Sequence, residues 1–266
     1  MHAIVQRTSR PVPQLVRVVL GGGDLASFAM APATDAYVNL AFRPAGAAYA
    51  EVFDPADVRD AEPAETRPVR RRYTVRRWDA ETHELTIDFV VHGDSGVAGP
   101  WAAAAAPGDV LVFAGPSGGY LPDAGADWHL LVGDESALPA IAASLEALPA
   151  GARAVVRLLC DGPGDELALA TDADLDLVWC HREAGEDLLG AVTAAAFPNG
   201  RVHAFVHGEA TEVRALRAHL LGERGLTRAQ MSCSPYWRRD FTDEAWRRVK
   251  REFVSAMDAD VPGTDR

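Results

Sequence analysis

Arg67-Pro68-Val69-Arg70-Arg71-Arg72-Tyr73-Thr74-Val75-Arg76-Arg77 sets a run of guanidinium groups beside one aromatic ring and one hydroxyl. Val, Tyr and Thr favour extended backbone and Pro68 interrupts it upstream, so residues 73–77 read as a strand. Such a strand can hold a large planar anion. Arg71 would fork onto a diphosphate, Tyr73 would lie against an aromatic ring, and the Thr74 hydroxyl would meet a ring nitrogen. A flavin dinucleotide has that shape and charge. The competing reading is a solvated basic strand that balances acid elsewhere.

Working outward, the remainder of the chain is acidic. Its 266 residues carry 26 Lys and Arg against 38 Asp and Glu, a net charge of -12. A nucleic-acid binder would be basic over a whole face, so no nucleic-acid partner is expected. Apart from 67–77, the other basic island is Arg238, Arg239, Arg247, Arg248, Lys250 and Arg251. The length suggests two domains, each with its own core. Cys160, Cys180 and Cys233 are widely spaced within or beside apolar runs, which predicts reduced, buried thiols and excludes an all-cysteine iron-sulfur cluster. The first twenty residues are broken by Arg and Pro, and no apolar run approaches a membrane span. A cytoplasmic monomer without membrane association is expected.

Short alternating runs at 3–6, 14–20, 36–42, 73–78, 84–92 and 110–114, separated by turn clusters, predict a small antiparallel barrel over residues 1–122. The stretch 51–68, rich in acid, Pro and Ala, reads as loop. From 123 to 266 the rhythm changes. Strands at 128–132, 154–160, 175–180 and 202–207 alternate with helices at 137–148, 187–196 and 209–221, the pattern of a parallel doubly wound sheet. Apolar residues at helical spacing over 243–257 predict a closing amphipathic helix.

Three further stretches carry chemistry. His92-Gly93-Asp94 ends a strand and Ser95-Gly96-Val97-Ala98-Gly99-Pro100-Trp101 opens a short helix, so backbone N–H groups can converge on a second phosphate; the alternative is a plain turn with Trp101 as a core plug. Gly133-Asp134-Glu135-Ser136 follows a strand and precedes a helix, where open α/β sheets bind ligands, and Gly208-Glu209 recurs at the end of another strand. The acids could equally be helix caps. Arg182 or Arg214 would serve an extra phosphate. Finally, Ser234-Pro235-Tyr236-Trp237-Arg238-Arg239 combines rings with cations before the last helix, fit to cover a flavin or attract an acidic substrate, or else to pack as a C-terminal turn. The histidines lack metal-ligand spacing, and no metal site is expected.

Asp35-Ala36-Tyr37-Val38-Asn39-Leu40, Arg71-Arg72-Tyr73-Thr74-Val75-Arg76, His92-Gly93-Asp94 with the glycine turn after it, Gly115-Pro116-Ser117-Gly118-Gly119-Tyr120, Gly133-Asp134-Glu135-Ser136-Ala137-Leu138-Pro139, Gly208-Glu209-Ala210 and Tyr236-Trp237-Arg238 run in one order. Together they resemble the siderophore-interacting protein family, flavin-dependent ferric-siderophore reductases built like ferredoxin-NADP reductases. The resemblance implies an FAD-binding β-barrel at 1–122 and an α/β NAD(P)H-binding domain at 123–266. It implies that Arg71, Tyr73, Thr74 and Val75 bind FAD, with Tyr73 and Thr74 tuning its chemistry and His92, Gly93, Gly96, Ala98, Gly99 and Trp101 near its diphosphate and adenosine half. Gly133, Asp134, Glu135, Ser136, Gly208 and Glu209 would face NADH, NADPH or an electron donor such as ferredoxin. Asn39, Tyr236, Trp237, Arg238 and Arg239 would meet the ferric siderophore. Asn39 stands where many relatives carry lysine, and Pro235 where glycine is common.

Overall fold

In the computed structural model, the described residues are 1–91, 93 and 96–261. His92 therefore lies outside them. The chain divides into two compact units, Met1–Gly119 and Tyr120–Arg266.

The first unit is a closed antiparallel barrel. Strands β1 (His2–Val12), β2 (Leu15–Gly21), β3 (Tyr37–Phe42), β4 (Val69–Asp79), β5 (Glu84–Val90) and β6 (Val110–Ser117) pair in the order β1-β2-β5-β4-β3-β6, and β6 closes back on β1. Alternation sends Val16, Val18, Leu20, Val38, Leu40, Ile87, Phe89, Leu111 and Phe113 into one core. Each such side chain contributes about 1.5–3 kcal/mol on full burial. Arg17 forks onto the buried Asp88 directly across the β2–β5 ladder, at 2.7 and 2.8 Å. A short helix, α2 (Ala98–Ala104), packs against β2 and β5, with Trp101 against the rings of Phe42 and Phe89.

The stretch expected as loop at 51–68 contains helix α1 (Pro55–Ala61). The Asp54 carboxylate accepts from the Ala56 N–H at 2.7 Å, and Pro55 has the fixed φ that suits a first helical position. The cap outweighs the stretch's poor helical composition.

The second unit is a five-stranded parallel sheet. Strands β7 (Trp128–Asp134), β8 (Arg153–Cys160), β9 (Asp174–His181), β10 (Val202–Glu209) and β11 (Met231–Trp237) lie in the order β11-β10-β7-β8-β9. Helices α3 (Leu138–Ala147), α4 (Leu188–Ala194) and α5 (Ala210–Gly222) connect β7 to β8, β9 to β10 and β10 to β11, while residues 161–173 join β8 to β9 without an α-helix. β7 and β8 are buried along almost their whole length, as a sheet covered on both faces requires.

Strand β11 corrects the reading of 234–240 as a turn. Met231–Trp237 pairs in parallel with β10. Pro235 is tolerated because β11 is an edge strand and the register shifts beside it. Helix α6 (Asp243–Asp260) closes the unit, capped by Thr242 and anchored by buried Trp246 and Met257. Arg217 donates to the Met257 carbonyl at 2.5 Å and to Asp258 at 2.7 Å, cations where the helix dipole favours them.

Candidate functional site

Strand β4 presents its groups on two faces. Arg71 and Tyr73 lie opposite Leu40 and Val38, and Arg72 and Thr74 lie opposite Asn39 and Tyr37. All four are half-buried except Arg72, which is exposed. Tyr73 packs against Phe89 with ring centroids 4.4 Å apart. Arg71 donates to the Arg70 carbonyl at 2.9 Å, which steadies its guanidinium. The Arg72 guanidinium rests 5.7 Å from the centre of the Tyr37 ring, and among the described residues it has no carboxylate partner. A guanidinium, a ring and a hydroxyl thus stand within four consecutive residues, neither sealed in the core nor fully solvated.

Val75 turns its side chain inward. Its side chain is 1% exposed in the barrel core, and its N–H donates to the Ala36 carbonyl at 2.7 Å. It holds the strand in place. Gly93 and Gly96 adopt φ of +57° and +82°, the left-handed region that glycine tolerates, ahead of α2. Ala98 and Gly99 form its first turn, and a Cβ on Gly99 would come 3.4 Å from the Val90 carbonyl oxygen. Trp101 plugs the space between Phe42 and Phe89, as the plainer reading of that turn had it.

In the sheet unit, the reversal of strand order falls between β7 and β10, the switch point at which open α/β sheets bind ligands beyond the strands' carboxyl ends. The structure brings the Gly133-Asp134-Glu135-Ser136 and Gly208-Glu209 loops together there. Asp134 is 1% exposed and acts as the keystone. One carboxylate oxygen accepts from the Ser136 N–H and hydroxyl at 2.9 and 2.5 Å, and the other accepts from Glu209 N at 2.8 Å and Trp237 Nε1 at 2.7 Å. Gly208 has to be glycine: its φ is +144°, and a Cβ would sit 2.7 Å from Asp134 Oδ2. Glu209 caps α5, accepting from Thr211 N at 2.6 Å and Glu212 N at 3.2 Å, and also takes the Arg239 N–H at 3.2 Å. The capping alternative thus holds for Glu209, whereas Asp134 and Ser136 brace the turn ahead of α3, whose N-cap is Ala137.

Burial pushes the Glu135 carboxyl up, while Arg182 pulls the other way. Arg182 forks across both Glu135 oxygens and reaches Asp161 at 2.9 Å. Glu212 is raised to about 7, first by burial and then by Asp134. His207, buried on β10, is lowered to about 3 by burial and stays neutral. Glu212 and Asp161 escaped sequence reading, although an acid one residue past β8 is a nucleotide-site signal.

The C-terminal cluster is more tightly held than the sequence suggests. Tyr236 lies 4.7 Å from the His207 ring, and its carbonyl accepts from Trp246 at 3.2 Å. Arg238 sits 4.5 Å from the Phe241 ring and 5.4 Å from the Phe253 ring. Arg239 is exposed. Arg214 forks onto Asp260 at 2.6 and 2.7 Å, and Arg182 is engaged with two carboxylates, so both cations named for an extra phosphate are already paired.

A closed antiparallel barrel followed by this parallel sheet is a ferredoxin-reductase-like fold. Residues 4–120 match the siderophore-interacting FAD-binding domain and residues 126–240 match the siderophore-interacting protein domain. The chain belongs to the siderophore-interacting protein family, and FAD is its cofactor. It is similar to the ferric vibriobactin reductase ViuB of Vibrio cholerae, 37% identical over 187 residues, which span 68% of this chain and 69% of that one. It is also 45% identical over 86 residues to the NADPH-dependent ferric-chelate reductase of Escherichia coli, a match covering 32% of this chain and 33% of that one. Among solved structures, a siderophore utilization protein from T. fusca superimposes with a TM-score of 0.79 at 35% identity, covering 91% of this chain and 94% of that one. Among the described residues, no helix is long and apolar enough to cross a membrane, and no group of His, Cys, Asp and Glu could hold a metal ion.

Proposed function

We propose that the protein is a ferric-siderophore reductase: FAD bound on the barrel takes electrons from NADH or NADPH, and iron leaves its chelator as Fe(II) in the cytoplasm. The observation that carries this reading is strand β4, with Arg71, Tyr73 and Thr74 half-buried in consecutive register. This donor set fits a flavin dinucleotide, since it offers a fork for a diphosphate, a ring for a ring and a hydroxyl for a heteroatom. When bound, FAD supplies a ring system that accepts a hydride and passes its electrons on singly.

The chain's own residues position and select. Arg71 neutralises the diphosphate, with Gly93, Gly96, Ala98 and Gly99 contributing the turn beside it. Tyr73 and Thr74 orient the ring, and Thr74 donates to it or accepts from it. In the sheet unit, Asp134 and Glu209 weld Gly133, Ser136 and Gly208 into a floor for the nicotinamide. Asn39 and Arg72 on the barrel are suited to an anionic ferric chelate, and in the sheet unit Tyr236, Trp237, Arg238 and Arg239 offer rings and cations of the same kind. No side chain needs to ligate iron, because the siderophore already does. The relatives named as ferric reductases support the same reaction.

The test is independent of the natural donor. FAD-loaded protein is reduced with dithionite under argon, excess reductant is removed, and a ferric siderophore is added with a ferrous trap. Return of the oxidised flavin spectrum together with trapped Fe(II) is expected. A flavin that stays reduced beside an intact ferric chelate would make the protein a siderophore binder without turnover.

A further inference from the structure

The parallel sheet has an edge at each side, and the edges are built differently. Strand β11 ends one side with Pro235 in its length and a register shift beside it, devices that blunt an edge. Strand β9 ends the other side with neither. It pairs with β8 in unbroken register from Arg153↔Asp174 to Cys160↔His181, and Asp174–His181 contains no Pro or Lys. Val178 is 42% exposed. Leu175, Leu177 and Trp179 are half-buried, on the face they share with the fully buried Ala154, Val156 and Leu158 of β8.

The backbone fixes which groups this edge leaves open. Asp174 N–H donates to the Ala152 carbonyl at 2.9 Å, so Asp174, Asp176, Val178 and Cys180 point their amides and carbonyls at β8. The odd-numbered residues between them point theirs outward. At the carboxyl end the outward groups are already closed: His181 N–H donates to Glu186 Oε2 at 2.8 Å, and its carbonyl accepts from the Glu186 N–H at 3.2 Å. Among the described residues, Leu175, Leu177 and Trp179 keep outward N–H and C=O groups with no protein partner. Such a row is a template for another strand.

We propose that β9 is a homodimer interface: a second copy of this chain pairs antiparallel with it across a two-fold axis centred on Leu177, and the two sheets join into one. In that register Leu177 faces its own copy and Leu175 faces Trp179, so each open residue of one strand meets an open residue of the other and the pair exchanges both N–H···O bonds. Moving the axis to Val178 would set Leu175 against His181, whose groups are already closed. The side chains agree with the backbone. Asp174 lands opposite Cys180 and Asp176 opposite Val178, so no carboxylate faces its own copy, and Asp172 of each chain comes beside Arg182 of the other. Leu175, Leu177 and Trp179 form one apolar strip across the joint. A strand of unrelated sequence would gain the backbone bonds without this self-matching. The dimer replaces the monomer expected from the sequence, and it does not rest on the reductase reading.

Sedimentation velocity of the full FAD-loaded chain, run from low micromolar to near-millimolar concentration, reads the association directly. The mass should rise from that of one chain, 28.4 kDa, to twice that value. Leu177→Lys sets like charges against each other across the axis and should weaken the dimer by about tenfold or more while leaving the flavin content unchanged. Leu177→Cys checks the register. A hydrogen-bonded antiparallel pair holds its Cα atoms about 5.5 Å apart, within disulfide reach, so mild oxidation should cross-link this variant. Val52→Cys, at an exposed position on the barrel, should stay single under the same oxidation. A chain that keeps the mass of one copy at every concentration overturns the proposal and leaves the edge to a strand of another protein. A dimer that Leu177→Lys leaves intact, or that Val52→Cys cross-links as readily as Leu177→Cys, overturns it as well.

Discussion

Strand β4 of the barrel and the carboxyl edge of the parallel sheet are both rich in charge, yet they use it in opposite ways. Along β4, among the described residues, Arg72 lies over the Tyr37 ring without a carboxylate partner and Thr74 sits half-buried on a strand face, which suits the strand to a ligand. At the sheet edge, Asp134 accepts four hydrogen bonds from Ser136, Glu209 and Trp237, and Arg182 forks onto Glu135. Charge there builds the platform itself. A charged residue's role therefore follows from how far its hydrogen-bonding capacity is already spent.

The largest effect expected from that contrast is on stability. Asp134→Ala strips partners from the Glu209 amide and the Trp237 indole, and each buried polar group left unpaired costs about 1–3 kcal/mol, so urea unfolding should show a loss of about 2–5 kcal/mol. Arg71→Ala should leave the urea midpoint nearly unchanged and act on the ligand instead. Loss of a charge-assisted contact of about 1.5–3 kcal/mol should weaken FAD binding roughly tenfold to a hundredfold, read by fluorescence titration. A variant that keeps full flavin affinity would make β4 a merely solvated strand.

A smaller effect is expected at Arg238. Because its guanidinium lies against Phe241 and Phe253, Arg238→Ala should raise the KM for an anionic ferric siderophore by a few-fold, about 1 kcal/mol or less, and should spare a neutral chelate. The difference should shrink in high salt. Equal changes for both chelates would assign Arg238 to packing alone.

A further effect is a pH slope. Glu212 is raised to about 7 in the folded chain, so the folded state holds its proton longer than the unfolded chain does. That contribution is fully present below the unfolded carboxyl pKa of about 4.3 and is lost as pH rises through about 7. Thermal unfolding of Glu212→Gln between pH 5 and pH 8 should therefore show a shallower decline than the parent, within about that window. Identical slopes would mean that Glu212 is already solvated.

The barrel was legible because alternation has period two and the turn clusters fall between strands. Strand β4 was legible because Val, Tyr and Thr favour extended backbone. Val75, next to Thr74 in sequence, points its side chain into the barrel core. Strand β11 was missed because Ser232, Cys233, Ser234 and Pro235 carry turn chemistry, and the strand exists only because β10 offers an edge to pair with. The signal for α1 was present in Asp54-Pro55 and was masked by the acidic, Pro-rich stretch around it. The keystone was beyond reach, since the Trp237 indole bonds Asp134 across 103 residues of sequence.

The central claim is that the protein passes electrons from a nicotinamide to chelated iron. Its most direct test is an anaerobic visible-absorption titration of the FAD-loaded protein with NADH, followed by a ferric siderophore and a ferrous trap. The account predicts that the flavin bleaches and then regains its colour as Fe(II) is trapped. A flavin that stays oxidised with NADH and with NADPH, but bleaches with reduced ferredoxin, would contradict the nicotinamide half of the path.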